Sequence, residues 1–329
     1  MAIDYKSAGV DIRAGEETVD RIKPLIKRTL TKNVLSDIGL FGGFYDAKFP
    51  EFEHPVLVAS TDGVGTKLKI AVLADKHNTV GHCLVNHCTN DILTSGARPL
   101  FFLDYFATGK LNPQVAASVI EGFTDGCVEN GCSLIGGETA EMPSMYAEGE
   151  YDVSGTIVGI VEKNKIVDGK KIDKGDVLIG LPSNGLHTNG YSLARKVLLT
   201  QYSVTEFVPE LGMTLADELL KIHRSYLKDI TPLLDANILL GISHITGGGI
   251  IGNTKRILQP GLSLEINWDS WEVPPIFKLI QKIGEITDAE MREVFNMGIG
   301  LILVVRPENT ATALNLLAPS NPMIIGNIG

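Results

Sequence analysis

A glycine-rich loop that ends in a lysine follows an apolar run early in the chain. Residues 60–67 read Ser-Thr-Asp-Gly-Val-Gly-Thr-Lys, and residues 55–60 before them are typical of a buried strand. Gly63 and Gly65 free the backbone to present N–H groups to an anion, and Lys67 adds a mobile positive charge. Asp62 could hold a metal ion that bridges phosphates. The spacing matches neither a Walker A loop nor a dinucleotide fingerprint, and an ordinary strand-to-helix turn is the alternative.

Two further carboxylates stand at notable places in predicted elements. Asp91 lies mid-helix among apolar residues, where an ionised carboxylate needs a partner, and a cation is the natural one. Glu138 follows Gly136 and Gly137 at the end of a short predicted strand. Mg²⁺ takes one or two carboxylates together with phosphates and water, so these acids and Asp62 favour a magnesium–nucleotide site. A satisfied aspartate on a helix surface is the alternative for Asp91 alone.

A polar loop in the second half precedes a predicted helix. Residues 183–190 are mostly small or polar, and the first turns of the helix carry Ser192 and Arg195. A helix N-terminus lined with hydroxyl groups is typical of a phosphate site. His187 is the imidazole of this loop, so it is a candidate proton carrier. A plain helix cap with a long loop is the alternative.

A second glycine loop, residues 246–252, favours a different class of protein. Gly247, Gly249 and Gly252 satisfy the G-x-G-x-x-G spacing after a predicted strand, and Glu265 could contact a ribose. The motif lies deep in the second half, however, and leaves the earlier carboxylates unused. A dinucleotide-dependent oxidoreductase is therefore kept as an alternative.

The cysteines and histidines of the first half give no clear metal pattern. Four cysteines in 329 residues are no disulfide framework, which suits a reducing cytoplasm. His82-Cys83 is followed five residues later by His87-Cys88. Five residues are about 140° around a helix, so the two pairs do not share a face. This favours structural thiols over a zinc site.

Composition excludes several broad classes. Hydrophobic residues make up 44% and charged residues 21%, which is typical of a globular chain. The net charge of −10 argues against a nucleic-acid binder. No apolar run approaches the roughly 18 residues that cross a bilayer, and residues 1–13 do not resemble a signal peptide.

The elements that must position these residues alternate between strands and helices. An N-terminal arm is predicted to carry one helix over residues 18–30, kinked or shortened at Pro24. The remaining predicted helices cover residues 79–96, 113–130, 191–199 and 308–317, and the strands 55–60, 100–107, 133–135, 153–161, 177–181, 239–245, 262–266 and 301–305. A polar stretch predicts a boundary near residue 165. We expect two α/β or α+β domains, residues 1–165 and 166–329.

Taken in order, these segments resemble the phosphoribosylformylglycinamidine cyclo-ligase family of purine biosynthesis. The resemblance spans nearly the whole chain and rests on residues 5–12 (YKSAGVDI), 62–67, 91–99, 101–111, 136–143 (GGETAEMP), 187–195, 246–249 and 295–300. The Asp-x4-Gly-Ala-x-Pro pattern at 91–99 is shared with thiamine monophosphate kinase, selenophosphate synthetase, formylglycinamide ribonucleotide amidotransferase and a hydrogenase maturation protein. The first motif and GGETAEMP single out the cyclo-ligase.

The resemblance implies an activity and a set of roles. The reaction is ATP-dependent ring closure of formylglycinamidine ribonucleotide to aminoimidazole ribonucleotide, in a cytoplasmic homodimer whose four-stranded N-terminal sheets close an eight-stranded barrel. Catalysis is assigned to His187, Lys67 and Asp91, and Mg²⁺ to Asp62, Asp91 and Glu138. The expected ATP-binding residues are Lys23, Gly63, Val64, Gly65, Thr66, Lys67, Asn90, Gly136 and Gly137. The expected substrate-binding residues are Ser183, Asn184, His187, Thr188, Asn189, Thr246, Gly247, Gly248 and Gly249. A related small-molecule kinase is the second alternative.

Overall fold

A computed structural model describes residue 5 and residues 7–36 and 39–329, so Lys6 of the N-terminal motif lies outside the described residues. The helices are α1 Ile12–Lys27, α2 Lys67–Leu73, α3 Asn78–Leu93, α4 Pro113–Asn130, α5 Tyr191–Leu198, α6 Leu215–Leu219, α7 Leu227–Asp235, α8 Gly249–Thr254, α9 Pro275–Gly284, α10 Asp288–Val294 and α11 Thr310–Leu316. The strands are β1 Pro55–Gly63, β2 Arg98–Thr108, β3 Ser133–Glu141, β4 Tyr151–Glu162, β5 Val177–Pro182, β6 Phe207–Val208, β7 Met213–Thr214, β8 Leu239–His244, β9 Leu264–Ile266, β10 Ile299–Val305 and β11 Met323–Ile328.

The first half builds a four-stranded sheet with the order β1-β4-β2-β3. Strand β4 runs antiparallel to both neighbours, and β2 pairs with β3 in parallel. Phe102, Phe106 and Ile157 on one face are buried in the same core as Leu84 of α3 and Phe123 of α4. On the other face Leu57 is 63% exposed and Leu103 is 36% exposed. One face of this sheet is therefore covered by helices, and the other is open.

Helices α3 and α4 pack closely because glycine lies at their contact. A Cβ atom on Gly81 would lie 2.2 Å from the Val119 carbonyl oxygen, and one on Gly122 would lie 2.1 Å from that of Asn78. The predicted start and end of α4 are confirmed: the Asn112 side chain accepts from the Gln114 N–H, and a left-handed Gly131 follows the last turn.

The second half builds a five-stranded antiparallel sheet with the order β8-β10-β5-β11-β9. Strand β10, which lies between β8 and β5, is buried on both faces: Leu301 and Leu303 point into one core, and Ile302 and Val304 into another. The predicted mixed α/β architecture is confirmed. None of the helices in the described parts of the chain is long and apolar enough to cross a membrane.

Two elements differ from the sequence-based expectation. Helix α1 begins at Ile12, where Asp11 caps it, and it continues through Pro24 to Lys27. Strand β3 does not stop before its glycines, because Gly136 and Gly137 pair with β2 inside the strand.

Candidate active site

Four side chains from three separate elements meet where the two halves of the chain contact each other. Asp62 lies near the end of β1, His87 and Asp91 lie one turn apart on α3, and His244 ends β8. His87 Nε2 is 2.8 Å from Asp62 Oδ2 and 3.8 Å from Asp91 Oδ2. His244 Nδ1 is 2.8 Å from Asp91 Oδ1. We call these four residues the junction cluster.

The two carboxylates of the junction cluster are kept ionised by their neighbours. Burial acts to raise the pKa of Asp91, but the hydrogen bond and charge of His244 outweigh it, so this pKa lies below its usual value. Ser60 Oγ also donates to Asp91 Oδ2 at 3.0 Å. Burial acts on Asp62 in the same way, and the hydrogen bond and charge of His87 outweigh it and lower the pKa of Asp62. Two of the three carboxylates expected at the metal are therefore together and charged.

Hydrogen bonds link the imidazoles around the junction cluster into one chain. His244 donates its Nδ1–H to Asp91, so its Nε2 accepts from His223 Nε2–H at 3.0 Å. His223 Nδ1 then accepts from the Thr188 hydroxyl at 3.3 Å, and that hydroxyl accepts from His87 Nδ1–H at 2.8 Å. The pattern assigns a tautomer to each ring along the chain. It leaves His87 Nε2 facing the two carboxylates.

The histidines differ in charge because their neighbours differ. Burial lowers the pKa of both His187 and His223 well below the usual value, and the surrounding histidines lower it further. Burial also lowers the pKa of His244, more than Asp91 raises it. Burial opposes charge on His87 as well, but its hydrogen bond to Asp62 and the nearby carboxylates outweigh this and raise its pKa. Positive charge is therefore concentrated at His87.

The predicted proton carrier, His187, lies beside this chain rather than in it. Its ring stacks on that of His223 with centroids 3.9 Å apart. Its Nε2 accepts the Asn184 N–H at 3.0 Å, so a neutral ring carries its proton on Nδ1. Nδ1 is buried and has no hydrogen-bond partner among the described residues. The structure thus provides a neutral imidazole with one unused N–H.

Two cavities flank the junction cluster. One, of about 480 Å³, is lined by the whole cluster together with Ser60, Thr246 and Arg256. The other, of about 430 Å³, is lined by Asp62 and His87, by residues 63–65 of the glycine loop, and by Thr188 and Asn189. A ligand in either cavity would contact Asp62 and His87.

Several predicted substrate residues adjoin the glycine loop, and two others are used for local structure. Thr66 Oγ is 3.0 Å from Ser192 Oγ, which joins the loop to α5. A Cβ atom on Gly247 would lie 3.4 Å from Asn189 Oδ1, so the loop of residues 246–249 lies against Asn189. Ser183 Oγ donates to a backbone carbonyl at 2.9 Å, and Asn184 Nδ2 donates to another at 3.2 Å.

Lys67 differs from the mobile cation that the sequence predicts. The residue is fully buried at the start of α2. Its Nζ donates to the carbonyl oxygens of His187 at 2.9 Å and Lys221 at 2.6 Å, and lies 3.2 Å from Cys83 Sγ. These bonds point the ammonium group into the contact between the two halves, away from the open loop.

Glu138 is not brought to the other two carboxylates within one copy of the chain. Asp62 lies in register with Gly155, Asp104 and Gly137 across the four strands. Three strand spacings separate the ends of this row by about 14 Å. Glu138 is the next residue after Gly137, so its side chain points to the opposite face of the sheet. Within one copy of the chain, the structure therefore does not bring Glu138 to Asp62.

Four other predicted ATP-binding residues lie outside the glycine loop, in β3, α3 and α1. A Cβ atom on Gly137 would lie 2.1 Å from Asp104 Oδ1, and Gly136 is its neighbour inside β3. Asn90 is fully buried; its side chain donates to the Arg224 carbonyl at 2.8 Å and accepts from the Tyr226 N–H at 3.0 Å. Lys23 lies on the exposed side of α1, where it pairs with Asp20 at 3.5 Å.

Sequence reasoning missed the other histidines of the site. His87 and Asp91 are four residues apart, which places both on one face of a helix, and this was a usable signal. The pairs His82-Cys83 and His87-Cys88 do not share a face of α3, as the sequence predicts. His82 contacts Glu129 at 2.6 Å, whereas His87 contacts Asp62. All four cysteines are free and buried. Nothing in the pattern around His223 marked it, because its neighbours come from distant segments.

The donor set of the junction cluster fits a divalent cation. Asp62 and Asp91 supply two ionised carboxylates, the number that Mg²⁺ commonly takes from a protein. One ligand atom from each of His87, Asp91 and His244 lies within 4.8 Å of the others. A cation there would contact the 480 Å³ cavity, which all these side chains line.

Comparison with known proteins identifies two family domains. Residues 46–161 match the AIR synthase related protein N-terminal domain, and residues 173–329 match its C-terminal domain. The phosphoribosylformylglycinamidine cyclo-ligase of Thermoanaerobacter sp. (strain X514) is 53% identical over 317 residues, which cover 96% of this chain and 94% of the relative.

Solved structures of more distant proteins share the fold. A thiamine-monophosphate kinase from Stenotrophomonas maltophilia K279a aligns with a TM-score of 0.67 at 17% identity, covering 95% of this chain and 93% of that one. The hydrogenase maturation protein HypE, solved in complex with ATP, aligns with a TM-score of 0.65 at 15% identity, covering 94% of this chain and 86% of that one. The chain belongs to the phosphoribosylformylglycinamidine cyclo-ligase family, within the AIR synthase related proteins.

Proposed function

We propose that this protein uses ATP to close the ring of formylglycinamidine ribonucleotide, giving 5-aminoimidazole ribonucleotide, ADP and phosphate in purine biosynthesis. The observation that carries the proposal is the sequence similarity to a protein named phosphoribosylformylglycinamidine cyclo-ligase, which is 53% identical over 96% of this chain. The cluster of ionised carboxylates between two cavities is consistent with it, because the reaction must hold a triphosphate and a ribonucleotide together.

For this reaction the protein must mainly orient the two substrates and neutralise the charge of the phosphates. The formyl amide oxygen is a poor leaving group, so the γ-phosphoryl group is transferred to it to make an imidate phosphate. The neighbouring amidine nitrogen then attacks the activated carbon, and phosphate leaves as the five-membered ring closes. Phosphoryl transfer needs little covalent help from protein side chains, so orientation and neutralisation of charge dominate.

The glycine loop and the junction cluster supply the ATP side of the site. Backbone N–H groups of residues 63–66 would contact the phosphates in the 430 Å³ cavity. Asp62 and Asp91 would hold a divalent ion, which supplies neutralisation of the phosphate charge when bound. Lys67 would have an indirect role. Its hydrogen bonds to the His187 and Lys221 carbonyl oxygens would hold the segments that carry the substrate loops in place.

The loops of the second half would hold the ribonucleotide. Thr188 and Asn189 line the 430 Å³ cavity, and Thr246 lines the 480 Å³ cavity. Residues 247–249 follow Thr246 and lie against Asn189. Asn189 Nδ2 is buried without a partner among the described residues, so a substrate oxygen could accept from it. His187 would offer its unused Nδ1–H to the reacting amide. Ser183 and Asn184 would shape the loop that carries it.

A homodimer would cover the open face of the four-stranded sheet in the first half of the chain. The uncovered face of its sheet carries Leu57, Leu103 and Glu138, and two exposed apolar side chains on one sheet face favour burial against a second copy. Strands β1 and β3 are the edges of the sheet. If they pair with those of a second copy, eight strands close into a barrel and Glu138 approaches the Asp62 end of the other chain. Residues 1–165 would then bind ATP and form the dimer, and residues 166–329 would bind the substrate phosphate, in the cytoplasm.

Product analysis tests the proposal. The protein is incubated with ATP, Mg²⁺ and formylglycinamidine ribonucleotide, and the products are separated by chromatography. We expect aminoimidazole ribonucleotide and free phosphate in equal amounts. Phosphate retained on the organic product would indicate a kinase instead. A response to a nicotinamide dinucleotide but not to ATP would indicate the oxidoreductase.

A further inference from the structure

Arg256 is the one arginine or lysine among the described residues that line the 480 Å³ cavity. It lies in a short 3₁₀ turn, Lys255–Ile257, that follows α8, and it is exposed. Its side chain has no hydrogen bond or ion pair with any other residue that the structure describes. An arginine without a partner thus borders the cavity that Asp62 and Asp91 also line.

The other cavity beside the junction cluster differs in charge. The described residues that line the 430 Å³ cavity include Asp62 and Asp152 but no arginine or lysine. Phosphates there would be held by the glycine loop and a divalent ion, as in the proposed function. A phosphate monoester in the 480 Å³ cavity would instead meet two carboxylates, so it needs a cation of its own. Arg256 is placed to supply that charge.

Asn253 fixes α8 against the loop that precedes it. The residue is buried, and its Nδ2 donates to the carbonyl oxygens of Thr246 and Gly247 at 3.2 Å and of Gly249 at 2.8 Å. Its Oδ1 accepts from Thr246 Oγ1 at 3.1 Å. The turn that carries Arg256 follows α8 directly, so the place of this arginine beside the cavity is set by the loop expected to bind substrate.

Ser243 offers a further hydrogen-bond donor to the same cavity. It lies in β8, lines the cavity and is 3% exposed. Its Oγ accepts from Thr254 Oγ1 at 3.3 Å, and its own hydroxyl proton has no acceptor among the described residues. A buried hydroxyl in this state favours an oxygen atom of a ligand. Together, Ser243 and Arg256 provide O–H and N–H donors, from which phosphate oxygens accept.

We propose that Arg256 binds the 5′-phosphate of formylglycinamidine ribonucleotide, so that the protein selects the ribonucleotide over the unphosphorylated nucleoside. The proposal rests on the proposed function, and it names the cation that holds one of the two substrates. The planar guanidinium group can donate two parallel N–H bonds to a phosphate monoester. The phosphate then lies at the Arg256 side of the cavity, and the reacting amide extends toward the junction cluster.

Steady-state kinetics on the full-length protein test the assignment. Arg256→Gln should raise the KM for the ribonucleotide about 10- to 100-fold, because it loses hydrogen bonds to a charged group, and should change the KM for ATP by less than about twofold. Arg256→Lys should recover part of the loss, since it keeps the charge. Lys255→Gln is the matched control: it removes the neighbouring cation, which does not line the cavity, and should behave like wild type. An unchanged KM for the ribonucleotide in Arg256→Gln, or a rise confined to ATP, overturns the proposal.

The nucleoside form of the substrate, which lacks the phosphate, shows which group Arg256 contacts. As a competitive inhibitor against the ribonucleotide, it should have the same inhibition constant in wild type and in Arg256→Gln. An inhibition constant that rises as much as the KM would place Arg256 on another part of the substrate and contradict the proposal. Failure of this proposal would leave product formation by the wild type intact, whereas failure of the proposed function would mean that the wild type forms no aminoimidazole ribonucleotide.

Discussion

Carboxylates in two regions of the first half have opposite pKa shifts. In the junction cluster, Asp62 and Asp91 face imidazoles, and their pKa values lie below the usual value. In β2, burial and to a smaller extent the charge of Glu138 raise the pKa of Asp104 to about 7, against the lowering effect of a backbone hydrogen bond. Near pH 7 an aspartate is therefore charged in the junction cluster, whereas Asp104 is about half protonated. Within one copy of the chain, the first region thus combines two carboxylates whose pKa values are lowered by imidazoles.

Removing the charge of Asp91, in the first of the two regions, should cause the largest loss of activity. Asp91→Asn keeps the shape of the side chain but loses the charge that faces His87 and the ion. We expect kcat to fall about 100-fold, with the thermal midpoint little changed. Steady-state kinetics and a melting curve on the same preparation check this. A variant that retains near wild-type turnover would remove the metal from our account.

Mixing two inactive variants tests whether Glu138, in the second region, contributes to the active site of a second copy of the chain. Asp62→Asn and Glu138→Gln should each lose most activity alone. In an equal mixture that has exchanged subunits, half of the dimers hold one intact site of two, so about a quarter of wild-type activity should return. A purification tag on one of the two variants gives the control for exchange, because the untagged variant should then co-purify with it. No recovery would mean that Glu138 does not act across the dimer.

The pKa of Asp104 predicts a pH dependence of stability. The folded carboxyl keeps its proton to about pH 7, whereas an ordinary aspartate releases it near pH 3.8, so unfolding releases a proton between these values. The free energy of unfolding should therefore fall as pH rises through this range. Asp104→Asn should reduce the fall between pH 5 and 8 by roughly 2 kcal/mol, measured by urea unfolding. Parallel pH curves for the two proteins would contradict the assignment.

Lys23 should give the smallest effect, because it belongs to neither region. Its side chain is 46% exposed and its partner Asp20 is 80% exposed. Lys23→Ala should change stability by less than about 0.5 kcal/mol and the KM for ATP by less than about twofold. A much larger rise in KM would restore the sequence-based prediction that this arm covers the nucleotide.

Local signals predicted most of the elements. Asn112, Pro113 and Gly131 mark the ends of α4 by capping chemistry that does not depend on the rest of the fold. The apolar run of residues 153–161 predicted β4, which lies between β1 and β2 and whose residues from Val153 to Val161 are all buried or half-buried. The end of β3 was missed, since Gly136 and Gly137 are turn residues in most contexts. Here the Asp104 side chain beside Gly137 leaves no room for a Cβ atom.

The site was only half predictable for a related reason. Asp62 and Asp91 stand out because a carboxylate beside apolar residues needs a partner wherever it lies. His244 carries no such signal, and neither does His223, which contacts it. They reach Asp91 and His244, respectively, only because β8 and the segment before α7 pack against α3. Lys67 looked like a free cation, and its burial depends on the carbonyl groups of two distant segments.

The amino-acid sequence by itself determined the family, the order of most elements and two carboxylates of the junction cluster, because these depend on residue type and short spacing. Tertiary structure alone decided that His87 contacts both Asp62 and Asp91, and that Glu138 lies three strands from Asp62 within one copy of the chain. Register and strand order set the distances between residues far apart in the chain, and no local pattern records those distances.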